Sequence, residues 1–218
     1  MYFGDLPDEG KLETCRVRID NSLSSPEILE RVAEYGYTKE KLLQGQALVE
    51  QATALYQQQD GEYDDQKAAT RAYKARFQEA HNQYMRFVKV ARVAFEEDID
   101  TYQRLGLFGE RSLLFDVWLP QVRKFYDQAL QDPDILAALG QWNITQKRLE
   151  DGVALVEEAV RAHDAQIKET GEAQQSTQEK DAAIDAAYRW TNTYQKIAAI
   201  ALEETPQLLE KIGILVRS

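Results

Sequence analysis

The chain is short of the residues that most active-site chemistry needs. Among 218 residues there is one cysteine, Cys15, and there are two histidines, His81 and His163. A lone cysteine makes no internal disulfide and supplies no thiolate metal cluster. Neither histidine stands three residues after a glutamate, so the Glu-x-x-His pairs with which four-helix bundles hold two metals are missing. Glycine-rich phosphate loops, Ser/His/Asp signatures, zinc spacings and dinucleotide fingerprints are absent as well. No cofactor and no enzymatic activity are therefore expected. No run approaches eighteen apolar residues, which excludes a transmembrane helix. The opening MYFGDLPDEGK lacks the basic region and apolar core of a secretory signal, so a cytoplasmic protein is expected. Positive charge is in deficit: 26 Lys and Arg stand against 37 Asp and Glu, for a net charge of −11. That balance argues against nucleic acid, whose binders need a basic footprint, and against anionic membranes.

Only five prolines interrupt the chain. Ala, Glu, Gln, Leu, Lys and Arg dominate, all strong helix formers, and no stretch alternates polar and apolar residues as a strand would. The chain also repeats itself. GQALVEQA (45–52) returns as GVALVEEA (152–159), and a constant shift of 107 aligns Pro26–Gly109 with Pro133–Val216 without a gap. Of those 84 positions, 22 are identical. Weaker matches, Asp20 with Asp127 and Leu23 with Leu130, extend the echo toward the N-terminus. The period is too long for the common solenoid repeats.

Within each half the pattern predicts a short helix, Pro26–Tyr35 and its copy Pro133–Trp142, with proline in the first turn and Ser25 as cap. Thr38 and Thr145 then read as N-caps of a long helix. In the first half that helix runs over 39–59, with a stripe of Leu42, Gly45, Val49, Ala52 and Tyr56. The copy carries Leu149, Gly152, Val156, Ala159 and His163. A break is predicted at DGEYDD (60–65) and at ETGEAQQS (169–176), and a second long helix over 66–102. Thr205-Pro206 announces a further short helix, and Gly106 and Gly213 fall where C-terminal glycine caps belong. The segment 112–130 is apolar and helical, bent or broken at Pro120.

One hairpin cannot bury its stripe alone, whereas two can bury each other. The expected fold is all-α: a single elongated antiparallel four-helix bundle built by tandem duplication of a helical hairpin, with additional short helices and repeats of about 12–109 and 119–216. A glycine in the same stripe position of both halves points to close helix–helix approach there.

The candidate sites follow from the same helical wheel. Lys67, Arg71, Lys74, Lys89 and Arg92 share one side of the second long helix, about 130° from its apolar face. The copy has Gln174, Gln178, Asp181, Lys196 and Ala199 in their places, so they form a candidate docking face for an acidic partner, a second copy of the chain included; the competing reading is a solvated face balanced by Glu62, Asp64 and Asp65. His163 replaces Tyr56 on the stripe, which makes the pair a candidate buried polar site. The paired glutamates Glu50/Glu157, Glu96/Glu203 and Glu97/Glu204 point away from the stripe and read as surface. The expected function is a non-enzymatic scaffold or protein-interaction module. One alternative is a small-ligand binder using aromatics such as Tyr73, Phe77, Tyr84, Phe87, Tyr188, Trp190 and Tyr194; a weaker one is a carboxylate metalloprotein.

Overall fold

A computed structural model describes residues 3–214, and all of its regular structure is helical. After a single 3-10 turn at Phe3–Asp5 come α1 (Asp8–Leu23), α2 (Pro26–Glu34), α3 (Lys39–Ala94) and α4 (Ile99–Arg104), then α5 (Phe115–Gln131), α6 (Pro133–Gly140), α7 (Gln146–Ala201) and α8 (Pro206–Lys211). Each helix of the second set begins 107 residues after its counterpart in the first. The last positions of the sequence alignment, 215 and 216, lie outside the described residues.

Several local signals act as the sequence suggests. Thr38 and Thr145 each accept a backbone N–H three residues on, at 3.4 Å. Pro26 and Pro133 open α2 and α6, where Asp132 accepts the N–H groups of Asp134 and Ile135 but Ser25 makes no side-chain cap bond. Gly106 and Gly213 take positive φ. Two expectations are corrected. No break occurs at 60–65 or 169–176: α3 and α7 each run 56 residues without interruption, so neither half forms a hairpin. Those stretches carry only Gly61 and Gly171 as breakers. A helical glycine costs about 1 kcal/mol against alanine. Ending and restarting a helix would leave eight backbone groups unpaired and require a new nucleus. Second, α3 ends at Ala94, not near 102, because Asp98 caps a separate α4 by accepting the N–H of Thr101 at 3.0 Å. Pro120 lies in the early part of α5 and does not break it. Helix α1 itself was not foreseen.

The chain divides into two compact units, Met1–Asp64 with Gly171–Ser218, and Asp65–Thr170. In the second unit α5 supplies Trp118, Val122, Phe125, Tyr126 and Ala129, which close against Ala80, Tyr84, Phe87, Val88 and Ala91 of α3 and Leu149, Val156 and Ala159 of α7. Ile135 and Leu139 of α6, with Leu105 and Leu107 after α4, seal this core. In the first unit Leu12, Cys15 and Ile19 of α1 meet Val49 and Ala52 of α3 and Ile184 and Ala187 of α7. Beside them α2 (Ile28, Val32) and α8 (Leu208, Leu209) pack on Leu42, Tyr194, Ala198 and Leu202. Fully burying a side chain such as Leu or Phe contributes about 1.5–3 kcal/mol, so each unit rests on both halves of the sequence.

The paired glycines have a cause the wheel did not suggest. A Cβ on Gly45 would lie 2.4 Å from the ring of Trp190, and one on Gly152 would lie 2.4 Å from the hydroxyl of Tyr126. An aromatic side chain, not a neighbouring helix backbone, occupies each gap. Gly45→Ala and Gly152→Ala are each expected to destabilise the protein by about 1–3 kcal/mol, as overpacking outweighs the gain in helix propensity. Gly61→Ala and Gly171→Ala, with open space around each, are expected to stabilise it by up to about 1 kcal/mol. Urea unfolding of the four variants measures both, and equal signs in the two pairs would refute the ring-over-glycine account.

Candidate interaction surface

The segment between α4 and α5 leaves apolar side chains in water. Leu113 and Leu114 are 67% and 72% exposed, and Phe108 and Val117 are about half exposed. Isolated surface leucines need no explanation, but four large apolar side chains exposed between 108 and 117 do. Its backbone is nonetheless fastened. Arg92, near the end of α3, donates from Nε to the carbonyl of Leu107 at 3.0 Å and from Nη2 to that of Gly109 at 2.6 Å. Arg111 donates to the carbonyl of Gly106. The N–H of Ser112 donates to Gln121 Oε1 at 3.3 Å, and that of Leu114 to Ser112 Oγ at 3.0 Å. Further along, Phe115 turns inward: its ring lies 5.9 Å from Tyr73, 6.4 Å from Phe77 and 5.8 Å from Trp118. The segment is thus fastened by Arg92 at one end, and at the other Phe115 packs on Tyr73 and Phe77 of α3.

Lys74 is eighteen residues, five turns, from Arg92 and therefore on the same side of the helix; Arg71 and Lys89 are separated by the same interval. Lys67, Arg71, Lys74 and Lys89 are exposed. Arg92 departs from the expected docking role: it is half buried and its guanidinium is spent on two loop carbonyls. The sequence marked 112–130 as apolar but gave no sign that its first residues face water.

The other candidates fall elsewhere. His163 stacks on Phe115, centroids 3.8 Å apart with 17° between planes, and lies 5.1 Å from Tyr73. Its Nδ1 is 3.9 Å from Asp164, too long for a hydrogen bond. Tyr56 belongs to the other unit, where it lines an open cleft of about 760 Å³ with Pro7, Leu12, Arg16, Thr53 and Gln57. Glu50, Glu96, Glu97, Glu203 and Glu204 are exposed, and Glu157 pairs with Arg123 at 3.3 Å. Tyr84, Phe87 and Tyr194 are core residues, and Tyr188 packs on Phe3 at 4.7 Å. Among the described residues no cluster of three or more His, Cys, Asp or Glu could hold a metal. None of the described helices is long and apolar enough to cross a membrane.

Comparison of the chain with protein-family models, with curated proteins and with solved structures finds no match.

Two measurements check this description. Arg92→Met removes two charge-assisted hydrogen bonds, each contributing about 1.5–3 kcal/mol. It should speed amide exchange over 106–114 well beyond any change in the rest of α3, and unchanged exchange there would show that the arginine does not hold the segment. His81 is stacked near Phe77, its Nδ1 buried without a partner, and burial lowers its pKa below the usual 6.5. Its folded form therefore binds fewer protons than its unfolded form, so its contribution is full above pH 6.5 and is lost as pH falls below it. Stability measured by urea unfolding should fall between pH 7 and pH 5, and in His81→Phe that part of the slope should vanish.

Proposed function

We propose that the protein is a non-enzymatic helical interaction module. Its partner is a protein segment, apolar on one side and acidic on the other, that lies on the 107–117 segment and the basic side of α3. The observation that carries this reading is the exposure of Leu113, Leu114, Phe108 and Val117 on a backbone fastened by Arg92 and Arg111. A fastened segment loses little conformational freedom when a partner covers it, and that lowers the entropic cost of binding. Lys67, Arg71, Lys74 and Lys89 select the partner's charge and speed its arrival. An acidic helix laid in such a surface is a familiar mode of peptide recognition. The net charge of −11 disfavours an anionic membrane as the alternative occupant. We also infer that the two halves arose by tandem duplication, a reading supported by the 22 aligned identities and by helices that start at a constant interval. Four of the five basic residues belong to one copy only, with Gln174, Gln178, Asp181 and Ala199 in their places in the other.

The test uses the full chain and a fluorescent eighteen-residue helical peptide with leucines on one face and glutamates on the other. Binding followed by anisotropy should weaken at least tenfold, about 1.4 kcal/mol, in Leu113→Ser/Leu114→Ser and in Lys67→Glu/Arg71→Glu/Lys74→Glu. It should be unchanged in the control Arg189→Glu/Lys196→Glu. A peptide with lysines in place of the glutamates should bind more weakly than the acidic one. Equal affinity in all variants would remove this surface from the account. Two other results would replace the acidic segment with a different occupant: self-association in sedimentation velocity that the leucine substitutions abolish, or binding to phosphatidylserine vesicles.

A further inference from the structure

The two units fill equivalent positions with opposite chemistry. Where the second unit has Val122, Phe125 and Ala129 on α5 and Phe87 and Val88 on α3, the first has Cys15, Arg18 and Ser22 on α1 and Tyr194 and Gln195 on α7, in each case at the interval of 107. The second unit fills these five positions with apolar residues alone, so packing at them does not require the polar set. Most of that set is accounted for. Tyr194 donates to Ser22 Oγ at 2.5 Å, Ser22 donates to the carbonyl of Arg18 at 2.7 Å, and Cys15 donates weakly to the carbonyl of Ala187 at 3.8 Å.

Gln195 Oε1 is buried without a partner, and Arg18 is the charged exception. It is 6% exposed, while its equivalent Phe125 is fully buried in the apolar core. Its Nε and Nη1 are buried with no hydrogen-bond partner, and it forms no ion pair among the described residues. The ring of Phe3, 4.3 Å from its Cζ, favours its charge, as do the nearby Cys15 and Tyr188 side chains, but none of the three is a counter-ion at neutral pH. A guanidinium keeps its proton at any ordinary pH, and a buried charge without a counter-charge is costly. Burial lowers the Arg18 pKa, which is the direction of an unpaid desolvation. Arg18 also lines a cleft of about 170 Å³ with Glu13, Thr14, Val17, Ile212 and Gly213, between α1 and the turn that follows α8. The Asn21 side chain fixes that turn by donating to the carbonyl of Lys211 at 2.6 Å. The carboxylate on the rim, Glu13, is engaged by Arg16 through Nε at 2.9 Å and Nη2 at 2.6 Å, so its charge is offset locally.

We propose that the Arg18 cleft is an oxyanion site that takes a small ligand bearing a phosphate or a carboxylate. A guanidinium carries N–H donors for two ligand oxygens, Arg18 lines the cleft, and the anion supplies the counter-charge that Arg18 lacks among the described residues. The cleft has the volume of about five or six waters at roughly 30 Å³ each, room for inorganic phosphate or a short carboxylic acid but not for a nucleotide. This site lies in the unit that does not carry the proposed docking surface, and the two stand or fall separately.

Calorimetric titration of the full chain with inorganic phosphate, and separately with acetate, at ionic strength held constant with sodium chloride, tests the proposal. At least one ion should bind saturably and raise the thermal midpoint above the chloride control, and comparing the two arms tells phosphate from carboxylate. Arg18→Met should weaken binding at least tenfold while leaving the anion-free midpoint equal or higher, since a buried unpaired charge is gone. Arg18→Lys, which keeps the charge and loses the fork, should weaken it severalfold. Should the methionine variant not fold, the lysine variant carries the comparison. The proposal is overturned if neither ion binds saturably, or if binding by Arg18→Lys equals that of the unaltered chain. It also fails if Arg18→Met folds and binds equally well, or if its midpoint falls sharply without anion, which would make Arg18 a structural residue.

Discussion

A helix of 56 residues cannot cover its own apolar stripe, and that constraint organises the molecule. Every turn of α3 and α7 that carries leucine, valine, alanine or an aromatic must be met by another element, or its burial is forfeited. In one unit α5, α6 and α4 with its following segment do the covering; in the other, α1, α2 and α8. Because each unit takes one stretch of α3 and one of α7, neither half of the sequence completes a core by itself. Small residues and large rings alternate along the contact. Ala52, Ala80, Ala91, Ala159 and Ala198 are buried beside Tyr84, Phe87, Trp118 and Tyr194. Gly45 and Gly152 are the extreme case, each yielding the space of a side chain to a ring.

The dryness of these cores sets their electrostatics. Burial raises the phenol pKa of Tyr84 and Tyr126, and pushes that of Tyr194 up to about 12, so all three stay neutral. Trp118 Nε1 and the Tyr126 hydroxyl are buried without partners. That cost is accepted where the apolar body of the ring returns more than its polar tip loses. Most charge is kept outside, in short-range pairs such as Arg76 with Glu158 and Arg189 with Asp185, and the buried Lys180 pairs with Asp8 at 3.1 Å. Pairs of this kind at a wet surface contribute little stability. They leave the burial of apolar area as the main source of stability, and they make an inward-facing arginine or an outward-facing leucine cluster anomalous enough to carry a functional argument.

Much of the helical plan was legible in the chain. The stripe positions Leu42, Val49, Ala52, Leu149, Val156 and Ala159 are all buried, the threonines before each long helix cap it, and Pro206 opens α8. These features rest on periodicity and on capping, which act over a turn or two and are written in neighbouring residues. Helix α1 escaped because its inward face holds Cys15, Arg18 and Ser22, which blur the polar–apolar rhythm. The expected interruptions of α3 and α7 erred for a related reason. A single glycine among helix formers weakens a helix without ending it, and the sequence holds no proline there to do more.

Helical class and the lack of catalytic and metal motifs were determined by the sequence itself, because each is a property of composition or of residues a few positions apart, and the repeat at an interval of 107 is read from the sequence by direct comparison. Tertiary structure alone decided which side chains meet. It brought Trp190 over Gly45 from 145 residues away, turned Arg92 from a surface charge into the fastening of a loop, left Leu113 and Leu114 in water, and enclosed Arg18 without a counter-ion. Burial is a relation between distant segments, and no local pattern records it.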